Sequence, residues 1–171
     1  AAIVCSEKKA KELGLMGRAV RVRGSALQSD PYTPRNYAMM DFNAVTQLAA
    51  KNAFEMAGVG PEDINLVELH DCFATAELVH YENIGLCKEG EAGRFIDSGA
   101  TALGGKVPVN VSGGLLSKGH PIAATGIANI YEVTTHLRGE AGDRQVAGAR
   151  LGLTHVVGAG PACAIHILGK V

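Results

Sequence analysis

The chain has 171 residues, 47% of them hydrophobic and 19% charged, apolar content suited to one ordinary buried core. Its 16 Lys and Arg against 17 Asp and Glu leave a net charge of −1, so no bulk field draws it to nucleic acid or anionic lipid. No run reaches the roughly 20 uncharged apolar residues that cross a bilayer, and the opening AAIVCSEKKAKELG lacks a signal-peptide layout, so a soluble chain in the cytoplasm is expected.

In chain order, that opening reads as a short apolar strand and a charged helix. RAVRVRGSAL, residues 18–27, alternates Arg with Val and Ala and predicts a strand with one wet face. The Pro-containing SDPYTPRNY is a connector. From Asp41 the spacing of Val45, Leu48, Ala49, Ala53 and Met56 predicts a helix that stops at Gly58. NLVELH then gives a short buried strand ending at His70. Helical spacing through Phe73, Ala76, Val79 and Ile84 closes at Gly85. Residues 86–106 have no clear period and predict a loop, and VPVNVSGG reads as a strand running into glycines. A third helix is expected over 125–137, followed by antiparallel strands Leu151–Val157 and Cys163–Leu168 joined by GAGPA. The order βαβαβαββ implies a layered α/β domain with a mixed five-stranded sheet, whose strand-end loops gather at one edge.

Glycine is the informative excess: 22 of 171 residues, against a usual share of about 7%. The glycines cluster in GGK, SGGLLSKGH and GAG beside His and Cys, as in loops whose backbone approaches a ligand closely. The four cysteines, at 5, 72, 87 and 163, have neither CxxC spacing nor a nearby paired His, so no metal site and no disulfide framework is expected.

Three places can carry chemistry. HDCF, residues 70–73, sets an imidazole, a carboxylate and a thiol at a strand end. The competing reading is a buried Cys used as a small hydrophobe and an Asp capping the next helix. SKGHPIAATG puts His120 in a Gly-Pro turn before a helix; the competing reading is a rigid turn whose imidazole satisfies a buried carbonyl. In THVVGAGPAC, backbone N–H groups can stabilise an oxyanion, or the glycines form a plain hairpin turn. Neither GxGxxG after a strand nor GxxxxGK[ST] occurs at the glycine clusters, which disfavours nucleotide hydrolysis.

HDCF, NVSGGLLSKGHPIAATG, LRGEAGDRQV and HVVGAG, in that order and spacing, resemble the C-terminal half of a thiolase. They resemble in particular the branch related to sterol carrier protein 2, where HDCF replaces the NEAF motif of ordinary thiolases. The likeness runs from about residue 25 to the end. Residues 1–24 resemble the tail of the family's N-terminal half and a connector, leaving 25–171 as a thiolase C-terminal domain.

The resemblance implies one αβα half of a five-layered architecture and an acyl-CoA C-acyltransferase, running thiolytic cleavage or Claisen condensation with coenzyme A and acyl-CoA as substrates and no permanently bound cofactor. His120 would take the proton from the nucleophilic cysteine, and Cys72 would be the second acid/base at the α-carbon. His70 and His120 would receive the enolate oxygen, and the Gly158 N–H would serve a second oxyanion hole. Asp71 would orient its neighbours. A thiol beside a protonatable imidazole is expected to have a lowered pKa. Ordinary thiolases carry their second cysteine in a CxG motif, where this chain has Val156, Val157 and Gly158, so the thiol function falls to Cys72.

The family's nucleophile belongs to an N-terminal half with no counterpart among the four cysteines here. The resemblance therefore implies a fragment, a cleavage product or a split subunit, inactive alone, whose complete enzyme is a homodimer. Two alternatives stay open: a retro-aldol lyase of the same superfamily, often with a zinc-ribbon and OB-fold partner, and a non-catalytic acyl-CoA or lipid-binding scaffold.

Overall fold

A computed structural model describes residues 1–29, 42–158 and 162–171. The connector from Asp30 on and the centre of the GAGPA turn lie outside the described residues.

Among the described residues four strands form one sheet. They are β1 (Val20–Ser29), β2 (Leu66–Glu68), β3 (Leu151–Gly158) and β4 (Ala162–Lys170), in spatial order β1-β4-β3-β2. β4 runs antiparallel to both β1 and β3, and β2 runs parallel to β3, so the sheet is mixed as expected. It has four strands, however, where the sequence pattern predicted five. VPVNV contributes a single parallel bridge, Val67 to Val109. Pro108 has no N–H to donate and accepts from Val67 N at 3.0 Å, while Asn110 turns to φ 50° and leaves the extended region. Pairing stops on both sides of Val109.

Among the described residues six α-helices accompany the sheet: α1 (Glu7–Glu12), α2 (Phe42–Ala57), α3 (Ala74–Ile84), α4 (Ala92–Asp97), α5 (Gly114–Lys118) and α6 (Thr125–Arg138). Ser6 caps α1, its hydroxyl accepting the Lys9 N–H at 3.2 Å. The strand expected before it does not form, and Ile3 and Val4 are exposed. The segment 86–106 is more ordered than its aperiodic sequence suggested. Within it α4 sets Phe95 edge-on against Tyr81, with ring centroids 5.7 Å apart.

The layers follow from which strand residues face which helix. Val67, Leu69, Leu153, Ile165 and Ile167 pack with Val45, Ala49 and Ala53 of α2 and with Tyr81 and Ile84 of α3 on one side of the sheet. Leu66 and Leu168 pack with Val133 and Leu137 of α6 on the other. The result is an αβα sandwich, in which each fully buried Leu or Ile contributes about 1.5–3 kcal/mol.

Two helical faces differ from their periodicity. α2 buries Val45, Ala49 and Ala53 as predicted, but adds Thr46, Ala50, Phe54 and Ala57 and leaves Leu48 and Met56 exposed. The buried stripe has rotated toward the small residues that let the helix lie close to the sheet. In α3 the expected Phe73 and Val79 are exposed, and His80, Tyr81 and Asn83 turn inward beside Ile84. Polar groups occupy the inner face because α3 borders the site.

Candidate active site

β2 ends in a buried polar corner. Glu68, His70 and Asp71 are each 5% exposed or less, an arrangement that demands partners for every charge. The Asp71 carboxylate accepts the Leu115 N–H at 2.7 Å. It thus pins α5 and does not cap α3, whose N-terminus at Phe73 has no side-chain cap. Gly114 makes this contact possible. It adopts φ +62°, and a Cβ there would fall 2.0 Å from Asp71 Oδ2, so only glycine lets backbone and carboxylate approach so closely.

α5 and the turn after it deliver His120. Its ring meets His70 edge to face, with centroids 4.8 Å apart. The two motifs lie 50 residues apart, and the fold brings them together. His120 is exposed, whereas His70 is buried. The buried-carbonyl alternative for His120 does not hold, because His120 Nδ1 lies 2.7 Å from Thr125 Oγ1. Thr125 gives its only proton to the Pro121 carbonyl at 3.1 Å. Both contacts are satisfied together when His120 Nδ1 carries a proton, which in the neutral ring leaves Nε2 as the acceptor.

Burial lowers the pKa of His70, and proximity to His120 lowers it further, against an opposing pull from Asp71. His70 is therefore neutral at physiological pH, with Nδ1 unpartnered among the described residues. The same burial pushes the Cys72 thiol up from its ordinary range, opposite to the lowering expected of a thiol beside an imidazole. A neutral His70 supplies no positive charge to stabilise a thiolate, so Cys72 holds its proton. Gly158 ends β3 opposite Ala162, next to residues outside the description.

Two further imidazoles stand behind the corner. His155 on β3 accepts the His70 main-chain N–H at Nδ1, at 3.3 Å. His80 of α3 packs on it with ring centroids 4.3 Å apart. Burial depresses both, His80 to about 4 and His155 well below its ordinary value. Sequence reasoning assigned neither residue a place, and it passed over Thr125 as well. The i, i+5 spacing from His120 to a hydroxyl at a helix start is the signal that would have found Thr125. Among the described residues no group of three or more His, Cys, Asp or Glu is placed to hold a metal ion, and no helix is long and apolar enough to cross a membrane.

An αβα domain that joins an HDCF strand end to a GHP loop across a mixed sheet is a domain of the thiolase type. Residues 32–170 match the family model described as thiolase C-terminal domain-like, and the chain belongs to that family. It is 43% identical over 170 residues to sterol carrier protein 2 of Rattus norvegicus, covering 98% of this chain and 31% of that protein. It is also 43% identical over 176 residues to an acetyl-CoA acetyltransferase of Methanothermobacter thermautotrophicus, covering 99% of this chain and 44% of the relative. The benzoylsuccinyl-CoA thiolase subunit BbsB of Thauera aromatica is 43% identical over 163 residues, 94% of this chain and 41% of the subunit. Among solved structures, an Ltp2-ChsH2(DUF35) aldolase superposes with a TM-score of 0.75 at 26% identity, over 88% of this chain and 39% of that one. The chain spans less than half the length of each of these proteins.

Proposed function

We propose that this chain supplies the acid–base and oxyanion half of a thiolase-type acyltransferase acting on acyl-CoA thioesters. The observation that carries this reading is the edge-to-face meeting of His70 and His120, with the Cys72 thiol, two residues after His70 in the chain, kept protonated by burial. His120 Nε2 accepts the proton of a nucleophilic cysteine held on an N-terminal half. The imidazolium so formed donates from Nε2 to the enolate oxygen, and neutral His70 donates beside it. Such donors aimed at developing charge are worth about 3 kcal/mol each. Cys72 exchanges a proton with the α-carbon, and the Gly158 N–H serves the tetrahedral intermediate.

Exposed apolar side chains around the loop, including Leu116, Ile122 and Tyr131, suit burial under that N-terminal half, and the complete enzyme is a homodimer of two-half subunits. Coenzyme A and acyl-CoA pass through as substrates. The aldolase among the similar structures favours one second reading, a retro-aldol lyase subunit with a zinc-ribbon/OB-fold partner.

The test is hydrogen exchange at the α-carbon of acetyl-CoA, with thiolysis of acetoacetyl-CoA in parallel, in the complete enzyme. Cys72→Ala and His120→Ala are each expected to cost 10²–10⁴-fold in rate. Full exchange in Cys72→Ala refutes the role of that thiol. Retro-aldol cleavage without thiolysis selects the lyase, and acyl-CoA binding with neither reaction selects a non-catalytic scaffold.

A further inference from the structure

A polar node away from the imidazoles ties the segment bearing His120 to the rest of the molecule. Glu68 at the end of β2 is fully buried. It accepts the Ser112 N–H at 3.1 Å and the Ser112 hydroxyl at 2.5 Å. Lys118, the last residue of α5, brings Nζ to 3.6 Å from Glu68 Oε2 and donates to Asn129 Oδ1 at 3.0 Å. Asn129, buried on α6, donates from Nδ2 toward the carbonyls of His155, at 3.4 Å, and Glu68, at 3.5 Å. Three side chains therefore join β2, α5, α6 and β3 at one point.

This arrangement is costly as a mere stabiliser. Taking the Glu68 charge out of water takes several kcal/mol, and an apolar residue of similar volume often serves stability as well or better, while the Lys118 side chain keeps 23% of its surface in solvent. Burial raises the pKa of Glu68, the mark of that cost. The node instead fixes geometry: Lys118 reaches both partners at once and stands two residues before His120. The opposite end of the same segment is fixed by Ser112.

We propose that Glu68, Lys118 and Asn129 form a positioning unit, in which the Lys118 charge held between Glu68 and Asn129 sets where α5 ends and so where His120 meets His70. The proposal rests on reading His120 as the acid–base group. None of the three residues touches the reacting atoms; each acts through the placement of His120.

The experiment is histidine-labelled NMR of the full chain, joined to kinetics of the complete two-half enzyme. Ring centroids 4.8 Å apart give a His70 to His120 ring–ring NOE in the wild type. Lys118→Met and Glu68→Gln are expected to weaken it several-fold, whereas Lys118→Arg retains it. If Lys118→Met does not fold, Lys118→Gln replaces it, keeping a donor for Asn129 without the charge. In the enzyme, kcat falls on the order of 10- to 100-fold with KM within about twofold, as expected of a small misplacement of a reacting group, and Lys118→Arg restores it. A full-strength NOE in the folded neutral variants overturns the proposal, whatever the activity. A weakened NOE in a protein that never showed thiolysis supports the positioning unit while removing the functional reading.

Discussion

Residues 66–72 reach the site from inside the molecule, whereas residues 113–125 reach it from the surface. The first segment is nearly all buried, with the Leu69 and His70 main-chain N–H groups donating to Asn110 and His155 and the Asp71 carboxylate accepting from Leu115. The second is largely exposed from Leu116 to Ala124, with Ile122 93% exposed and Ala123 held at φ 63°, uncommon for a residue with a Cβ. One half of the site is placed by a packed core, and the other by a few polar anchors cast from that core. The stable half carries the neutral imidazole and the protonated thiol, and the anchored half carries the exposed imidazole of His120.

Gly114→Ala attacks this division at its tightest point. The added methyl takes the space of the Asp71 carboxylate at a positive φ, so it breaks the bond to Leu115 and strains the backbone. A loss of about 3–4 kcal/mol is expected in urea unfolding; an unchanged midpoint would mean that Asp71 does not hold the loop.

The buried half is next, through pH. His80 titrates near 4 in the folded chain against 6.5 for its ordinary value. Between those limits the unfolded chain binds a proton that the folded chain refuses, so stability falls as pH drops from about 6.5 toward 4. The loss reaches on the order of 3 kcal/mol. His80→Phe should flatten this part of the stability profile, and an unaltered slope would place the acid sensitivity elsewhere.

Thr125→Val tests the exposed half with the smallest effect on folding, about 1 kcal/mol. Its signature is chemical. Without the Oγ1 acceptor at 2.7 Å, His120 should lose its preference for the Nδ1–H tautomer, read from its ¹⁵N shifts. A persistent Nδ1–H form would show that the hydroxyl does not set it.

Much of this architecture was legible in the residues. Spacing located α2, α3 and α6 and both long antiparallel strands, because periodic apolar positions and glycine stops act locally. HDCF and GHP pointed to the site for the same reason: their residues sit at strand and helix boundaries that sequence can mark. The fifth strand failed because Pro108 and the left-handed Asn110 limit pairing in a way that apolar alternation does not register. The inner face of α3 failed because His80 and Tyr81 are buried by long-range partners, His155 and Phe95.

What the sequence determined by itself was the order of elements, the mixed α/β class and the two motifs whose resemblance is to thiolases. Only the tertiary structure decided that His70 is neutral, that Cys72 keeps its proton, that Thr125 Oγ1 lies 2.7 Å from His120 Nδ1, and that Glu68, Lys118 and Asn129 meet at one node. The physical reason is range. Helix and strand propensities are written over a few neighbouring residues, whereas protonation and tautomer depend on desolvation and on donors brought in from distant segments, which exist only once the chain has folded.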